Sequence, residues 1–309
     1  MSGYAEVFQR IEKKYRVDAA QRALLEAGLG AALAPDAYGR SRVTSLYLDT
    51  PDRALIDRSL EKPTYKEKLR LRAYGPEAGA ALVAAFAPGS TPAASRPAAA
   101  PAGPLPCPAA PSRGASGAAF SSPDLAAASS TPVFLEIKKK LRGVVYKRRV
   151  ALSLGAAVAY LGGTPYGDAC AAHPLADPAL QARSLSARSR QIARELDAAL
   201  ARHGRLVPSM AIACERVAWA PADPDAPAAA GLRVTFDDRL AFLDLMAPAP
   251  AWRPVIPPAD AVMEVKSVGP YPRWLADLLA QARAYPASFS KYGTAYRLVT
   301  PPLKGGRCA

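Results

Sequence analysis

The chain has 309 residues, half of them apolar, which is enough to bury one large or two small cores and too apolar for a wholly disordered polymer. A formal charge of +14 and a pI near 9.8 demand a surface or channel that attracts anions, without choosing among nucleic acid, phospholipid, nucleotide and polyphosphate. No apolar run approaches the roughly 18–20 residues of a membrane-spanning helix, the start of the chain lacks the apolar core of a secretory signal, and Cys107, Cys170, Cys214 and Cys308 show no C-x-x-C spacing, so the expectation is a cytoplasmic chain with reduced thiols and no zinc cluster or disulfide framework.

The first predicted strand carries Arg10, Glu12 and Lys14 on one face and Ile11 on the other. Asp18 can cap a helix running to about Gly28, with Ala19, Leu24 and Leu25 as burial candidates. A strand over residues 45–49 precedes one in which Lys68, Arg70 and Arg72 oppose Leu69 and Leu71. Residues 76–132 then collapse into Ala, Pro, Gly and Ser, a composition that reads as a disordered insertion. Strands resume with Glu136 and Lys138 opposite Leu135 and Ile137, and with Lys147 and Arg149 opposite Tyr146 and Val150. Residues 162–177 read as irregular, and residues 184–203 as a helix with an apolar stripe of Leu185, Ile192, Leu196 and Leu200, stopped at Gly204. Arg183, Arg190 and Arg194 line another face of it, which is read as solvated surface, with an anionic membrane or partner as the second reading. A strand over 210–219, a break at 221–230 read as an expanded hairpin loop, and a strand placing Arg233, Thr235 and Asp237 opposite Leu232, Val234 and Phe236 come next. Glu264 and Lys266 oppose Met263 and Val265, and a last helix is predicted over 272–285. His173 and His203 read as ordinary loop or helix-end residues, which argues against histidine chemistry.

A half-buried sheet normally has one wet face, so charge on any single strand needs no further explanation. Here the pattern recurs, with Glu-x-Lys at Glu136 to Lys138 and at Glu264 to Lys266, and paired bases at Arg70/Arg72 and Lys147/Arg149. About eight antiparallel strands can close into a barrel whose lumen holds side chains or one slender ligand. The predicted fold is therefore α+β, mainly antiparallel: a closed eight-stranded β tunnel with flanking amphipathic helices, one domain over residues 4–304 interrupted by the Ala/Pro-rich insertion. A lumen crowded with Lys and Arg calls for a polyanion, and the interleaved carboxylates call for a divalent cation, with Glu264 the first choice of ligand.

These residues resemble the VTC domain, the polyphosphate polymerase module of the triphosphate tunnel metalloenzyme superfamily. The resemblance runs through R-I-E-K-K-Y at 10–15, S-L-Y-L-D-T at 45–50, K-L-R-L-R-A-Y-G at 68–75, F-L-E-I-K-K-K at 134–140, Y-K-R-R-V at 146–150, E-R-V-A-W at 215–219, L-R-V-T-F-D at 232–237, M-E-V-K at 263–266 and F-S-K-Y at 289–292, in that order. It implies phosphate-binding, catalytic bases at Lys14, Arg70, Arg72, Lys138, Lys147, Arg149, Arg216, Arg233, Lys266 and Lys291, and a Mn²⁺ or Mg²⁺ ligand at Glu264. Ser288 stands where some relatives carry a lysine. The implied reaction is transfer of the γ-phosphoryl group of ATP to a growing polyphosphate chain; the rivals are a metal-dependent triphosphatase and a non-catalytic polyphosphate-binding module. ATP and polyphosphate are the expected partners, with peripheral attachment to a membrane partner left open. No nucleic acid is expected, because aromatics are 7% of the chain and no basic strand interleaves stacking rings. Tyr15 and Tyr47 are read as packing residues, Trp219 and Trp274 as outer-core anchors, and Asp49 and Asp237 either as partners behind the site or as turn or ladder residues.

Overall fold

The computed structural model describes residues 11–61, 63–87, 129–142, 144–223 and 229–300. Its strands are β1 (Ile11–Val17), β2 (Leu33–Asp49), β3 (Tyr65–Tyr74), β4 (Pro132–Leu141), β5 (Val144–Ser153), β6 (Val207–Pro221), β7 (Arg233–Asp244), β8 (Trp252–Pro254) and β9 (Ala261–Ser267). Its helices are α1 (Ala19–Leu29), α2 (Ala54–Leu60), α3 (Pro76–Ala85), α4 (Leu154–Leu161), α5 (Tyr166–Ala172), α6 (Pro178–Ser184), α7 (Ala187–His203), α8 (Arg273–Gln281) and α9 (Lys291–Val299). The class is α+β with a mostly antiparallel sheet; β1–β9, β7–β9, β7–β8, β3–β4 and β4–β5 are antiparallel ladders. Among the described residues no helix is long and apolar enough to cross a membrane.

The closed eight-stranded barrel is corrected. Nine strands pair in the open order β1-β9-β7-β6-β2-β3-β4-β5, with β8 beside β7, and β1 and β5 end the path. The outer edge of β1 is taken by another part of the chain: Tyr15 bridges Pro286, and the Ala287 N–H donates to the Lys14 carbonyl at 2.7 Å. A strand edge already occupied cannot accept a further strand there.

The described chain divides into two compact units, residues 1–44, 212–244 and 249–309, and residues 45–211 and 245–248. In the first, Asp18 closes a capping box with Gln21, as its place before the apolar run predicts. α1 and α8 cover the apolar face of β1, β7 and β9, where Tyr15, Val17, Val234, Phe236, Met263 and Val265 join Leu25, Leu29, Leu275 and Leu279 in one buried core. Ala19, a predicted core residue, is exposed instead, while Trp219 and Trp274 pack on the outside of this core as expected. Gly28 has no room for a Cβ because Leu278 of α8 lies against it. In the second unit the period of two in β3 and β4 buries Leu69, Leu71, Leu135 and Ile137. α2 and α3 pack on β3, and α4, α6 and α7 on β5.

Two stretches that read as structureless contain helix. Pro76 at the first helical position and Glu77 in the first turn start α3, so the Ala-rich composition at 76–85 forms helix; the rest of the predicted insertion, 88–128, lies outside the described residues. Within 162–177 lies α5, and Asp177 caps α6 by accepting from the Ala179 and Leu180 N–H groups. Residues 224–228 of the 221–230 break lie outside the described residues, as do Arg10, Cys107 and Cys308.

Candidate functional site

In the first unit, the strands that bury Met263, Val265, Val234 and Phe236 on one face must present Glu264, Lys266, Arg233, Thr235 and Asp237 on the other. Register sets Lys14, Glu264 and Thr235 in one row across β1, β9 and β7, and Glu12, Lys266 and Arg233 in the next. Glu264 receives Lys14 Nζ on Oε1 at 3.2 Å and Lys266 Nζ on Oε2 at 3.1 Å. Burial pushes its pKa up, but Lys291, Lys14, Lys266 and Arg216 outweigh burial and hold the carboxyl far below the ordinary range, so it is an anion at every working pH.

Beside it, Asp237 is fully buried and takes a bidentate fork from Arg216, Nε to Oδ1 at 2.6 Å and a terminal nitrogen to Oδ2 at 2.7 Å. Lys291, the first residue of α9, pairs with the same carboxylate, and its position follows from Ser290, which caps the helix by accepting from the Gly293 N–H. Against burial, Lys291 and Arg216 hold Asp237 at about 2, and Asp237 in turn raises both bases. Arg233 stands apart: it is half-exposed and pairs with Asp36 at 3.0 Å instead of with either buried carboxylate.

The second unit carries a separate cluster on β3, β4 and β5. Register aligns Lys68, Lys138 and Lys147 in one row and Arg70, Glu136 and Arg149 in the next. Glu136, 1% exposed, meets Arg70 Nε at 2.7 Å, Lys147 Nζ at 2.8 Å and Arg149 Nε at 3.8 Å. Burial raises its pKa, and Arg70, Arg72 and Lys147 bring it down to about 2. Arg70 also donates to the Tyr47 hydroxyl at 3.0 Å, Arg72 reaches Ser45 Oγ at 3.2 Å, and Arg149 lies 3.9 Å over the Phe134 ring. Lys68 is pushed down to about 8 by burial first, then by Lys66, Lys138 and Arg70, with Tyr47 opposing.

Of the eleven residues singled out in the sequence, Lys14, Arg216, Lys266, Lys291 and Glu264 come together in the first unit, and Arg70, Arg72, Lys138, Lys147 and Arg149 in the second. Sequence reasoning left out Lys68, although the alternation that selected Arg70 and Arg72 places it on the same face. Tyr47, read as packing, is buried but hydrogen-bonded to Arg70, whereas Tyr15 is a core residue. Asp49, read either as a partner behind the site or as a turn residue, takes the local role: it accepts from the Thr50, Leu55 and Ile56 N–H groups and so caps α2. His203 ends α7, with Nε2 2.6 Å from buried Glu67, which Tyr65 and Arg202 also engage.

Among the described residues no three acidic, histidine or cysteine side chains cluster as a metal cage. The carboxylate oxygens of Glu264 nevertheless fit Mg²⁺ or Mn²⁺, which are held by one or two carboxylates with water and phosphate oxygens in the remaining positions. Zinc, which takes three or four nitrogen or sulfur ligands, does not fit them.

Among solved structures the chain is similar to a suspected adenylate cyclase from Vibrio parahaemolyticus, at 9% identity and a TM-score of 0.39, covering 93% of this chain and 97% of that one. It is also similar to a conserved hypothetical protein from Pyrococcus furiosus, at 8% identity and a TM-score of 0.31, covering 89% of this chain and 91% of that one. Neither likeness is close enough to carry a functional argument. No curated protein matches the sequence. The VTC domain family model matches residues 9–84 and 125–300, leaving out much of the Ala/Pro-rich stretch and taking in every base and carboxylate of both clusters. With that span and those side chains matched together, the chain belongs to the VTC domain family of the triphosphate tunnel metalloenzymes.

Proposed function

We propose that this protein is an ATP-dependent polyphosphate polymerase, within the wider class of enzymes that act on triphosphates to which its family belongs. The observation that carries the reading is the two-row ladder on β3–β4–β5: Lys68, Lys138, Lys147, Arg70 and Arg149 stand on one sheet face around the single carboxylate of Glu136. Like charges so close repel by kilocalories per mole at reduced dielectric, and a phosphate chain is the ligand that neutralises them in series.

Arg70, held by Glu136 and Tyr47, and Arg149, stacked on Phe134, present guanidinium groups in fixed orientation for bidentate contact with phosphate oxygens. Lys14 and Lys266 act as point charges on Glu264, and each can turn its ammonium group from the carboxylate to a phosphate oxygen. A divalent ion at Glu264 would neutralise charge on the phosphate oxygens that meet Lys14 and Lys266. In the transfer, a terminal oxygen of the growing chain attacks the γ-phosphorus, the bond to the β–γ bridging oxygen breaks, and ADP leaves with that electron pair. The side chains position the two phosphates in line and stabilise developing charge, so no protein nucleophile is required.

Incubation of purified protein with ATP and Mn²⁺, followed by sizing of the phosphate products, tests the reading. Long phosphate chains with stoichiometric ADP are expected; free phosphate alone makes the protein a triphosphatase, and no turnover with tight polyphosphate binding makes it a binding module. Glu264→Gln is expected to fold and to lose metal-dependent activity by at least about a hundredfold. Full activity in that variant would remove the carboxylate from the mechanism.

A further inference from the structure

Thr235 is 2% exposed, and among the described residues its Oγ1 has no hydrogen-bond partner. An unsatisfied buried hydroxyl costs about 1–3 kcal/mol, and valine would fill the same volume on a β-strand without that cost. The hydroxyl therefore calls for a partner that the ligand-free arrangement does not give it. Two carboxylates lie on its face: Asp237, two residues along β7, and Glu264, its register partner on β9. Directly opposed residues of an antiparallel pair have Cβ atoms about 4.5–5.5 Å apart, within reach of a threonine hydroxyl and a glutamate. Asp237 is already saturated by the Arg216 fork and Lys291. Glu264 is held by Lys14, which also pairs with Glu12, and by Lys266.

We propose that Thr235 is a positioning residue for Glu264, whose carboxylate it takes over by donating its Oγ–H when Lys14 and Lys266 leave for the triphosphate and Glu264 turns to a divalent cation. The inference rests on the metal-dependent reading above and adds to it a residue that touches neither metal nor phosphate. The exchange conserves hydrogen bonding. Two charged donors leave the carboxylate for phosphate oxygens, one neutral donor replaces them, and the freed oxygen goes to the cation. Partners behind a metal ligand typically contribute about 10–100-fold in metal affinity by fixing the ligand's orientation.

The experiment is calorimetric titration of Mn²⁺ into protein saturated with tripolyphosphate, for the unaltered chain, Thr235→Val and Thr235→Ser, with the melting temperature of each measured without metal. Thr235→Val is expected to weaken Mn²⁺ binding about tenfold or more while its metal-free melting temperature stays level or rises, and Thr235→Ser is expected to restore affinity. Unchanged Mn²⁺ affinity in Thr235→Val overturns the inference and leaves the metal reading standing. Failure of the unaltered chain to bind Mn²⁺ overturns both. Should Thr235→Val not fold, Thr235→Ala carries the same comparison, and weakening there that Thr235→Ser shares assigns the effect to packing and overturns the proposal.

Discussion

Neutralising Glu136 tests whether the second-unit cluster is a structural ion network or a site kept ready for polyanions. Glu136→Gln keeps side-chain volume and removes the one negative charge between Arg70, Lys147 and Arg149. Breaking a fully buried pair costs about 3–5 kcal/mol, but these three bases are 22%, 42% and 40% exposed, and water screens part of their repulsion. We expect a loss of about 2–3 kcal/mol. For a chain of this size that is a fall of about 3–5 °C in melting temperature. The folded pKa of Glu136, about 2, lies below the ordinary 4.5, so its stabilisation is complete above pH 4.5 and is lost as pH falls through 2. The gap between the two proteins should therefore be constant at neutral pH and close between those values. Tripolyphosphate should restore the variant, since ligand at a hundred times its Kd adds about 2.7 kcal/mol, and affinity should be equal or higher because the lost charge was negative. Scanning fluorimetry with and without tripolyphosphate reads all of this. A variant as stable as the parent, or one that no longer responds to tripolyphosphate, refutes the reasoning.

Lys68, at about 8, is mostly charged at pH 7 and neutral by pH 9, so tripolyphosphate affinity should weaken by up to about tenfold across that interval, while Lys68→Arg stays flat; isothermal titration at the two pH values decides it. Because this pKa is depressed below 10.5, the unfolded chain binds the proton more tightly, and folding stability from this group should rise between pH 8 and 10.5, the opposite direction to binding. Asp49→Ala should cost about 2–3 kcal/mol by stranding the Leu55 and Ile56 N–H groups, yet leave tripolyphosphate affinity unchanged; a shift in affinity would return Asp49 to the site.

The strands were legible because charge and apolar side chains alternate without interruption: Met263 and Val265 could only face a core, which fixed the direction of Glu264 and Lys266. The same alternation already pointed to Lys68, which shares a face of β3 with Arg70 and Arg72. Closure was not legible, since whether β1 keeps a free edge depends on Pro286 and Ala287, some 270 residues away, and they carry no strand pattern. The helices at 76–85 and 166–184 were hidden by small residues. Alanine is a strong helix former but gives no apolar stripe, and the better signals were Pro76 followed by Glu77 and Asp177 followed by Pro178. Asp49 and Asp237 look alike in sequence as acids at strand positions; only the neighbours, a helix start for one and an arginine fork for the other, separate them.

The clasp between Ala287 and the Lys14 carbonyl makes the intervening stretch to Lys291 a ruler. One end is pinned to the backbone of β1 and the other delivers an ammonium group to Asp237, so a single residue added or removed would displace that group by about 3.5 Å, farther than an ion pair can stretch. Apart from the capping Ser290, side chains along the ruler can vary while its length cannot, and a lineage of such proteins would tolerate spelling changes there but not insertions.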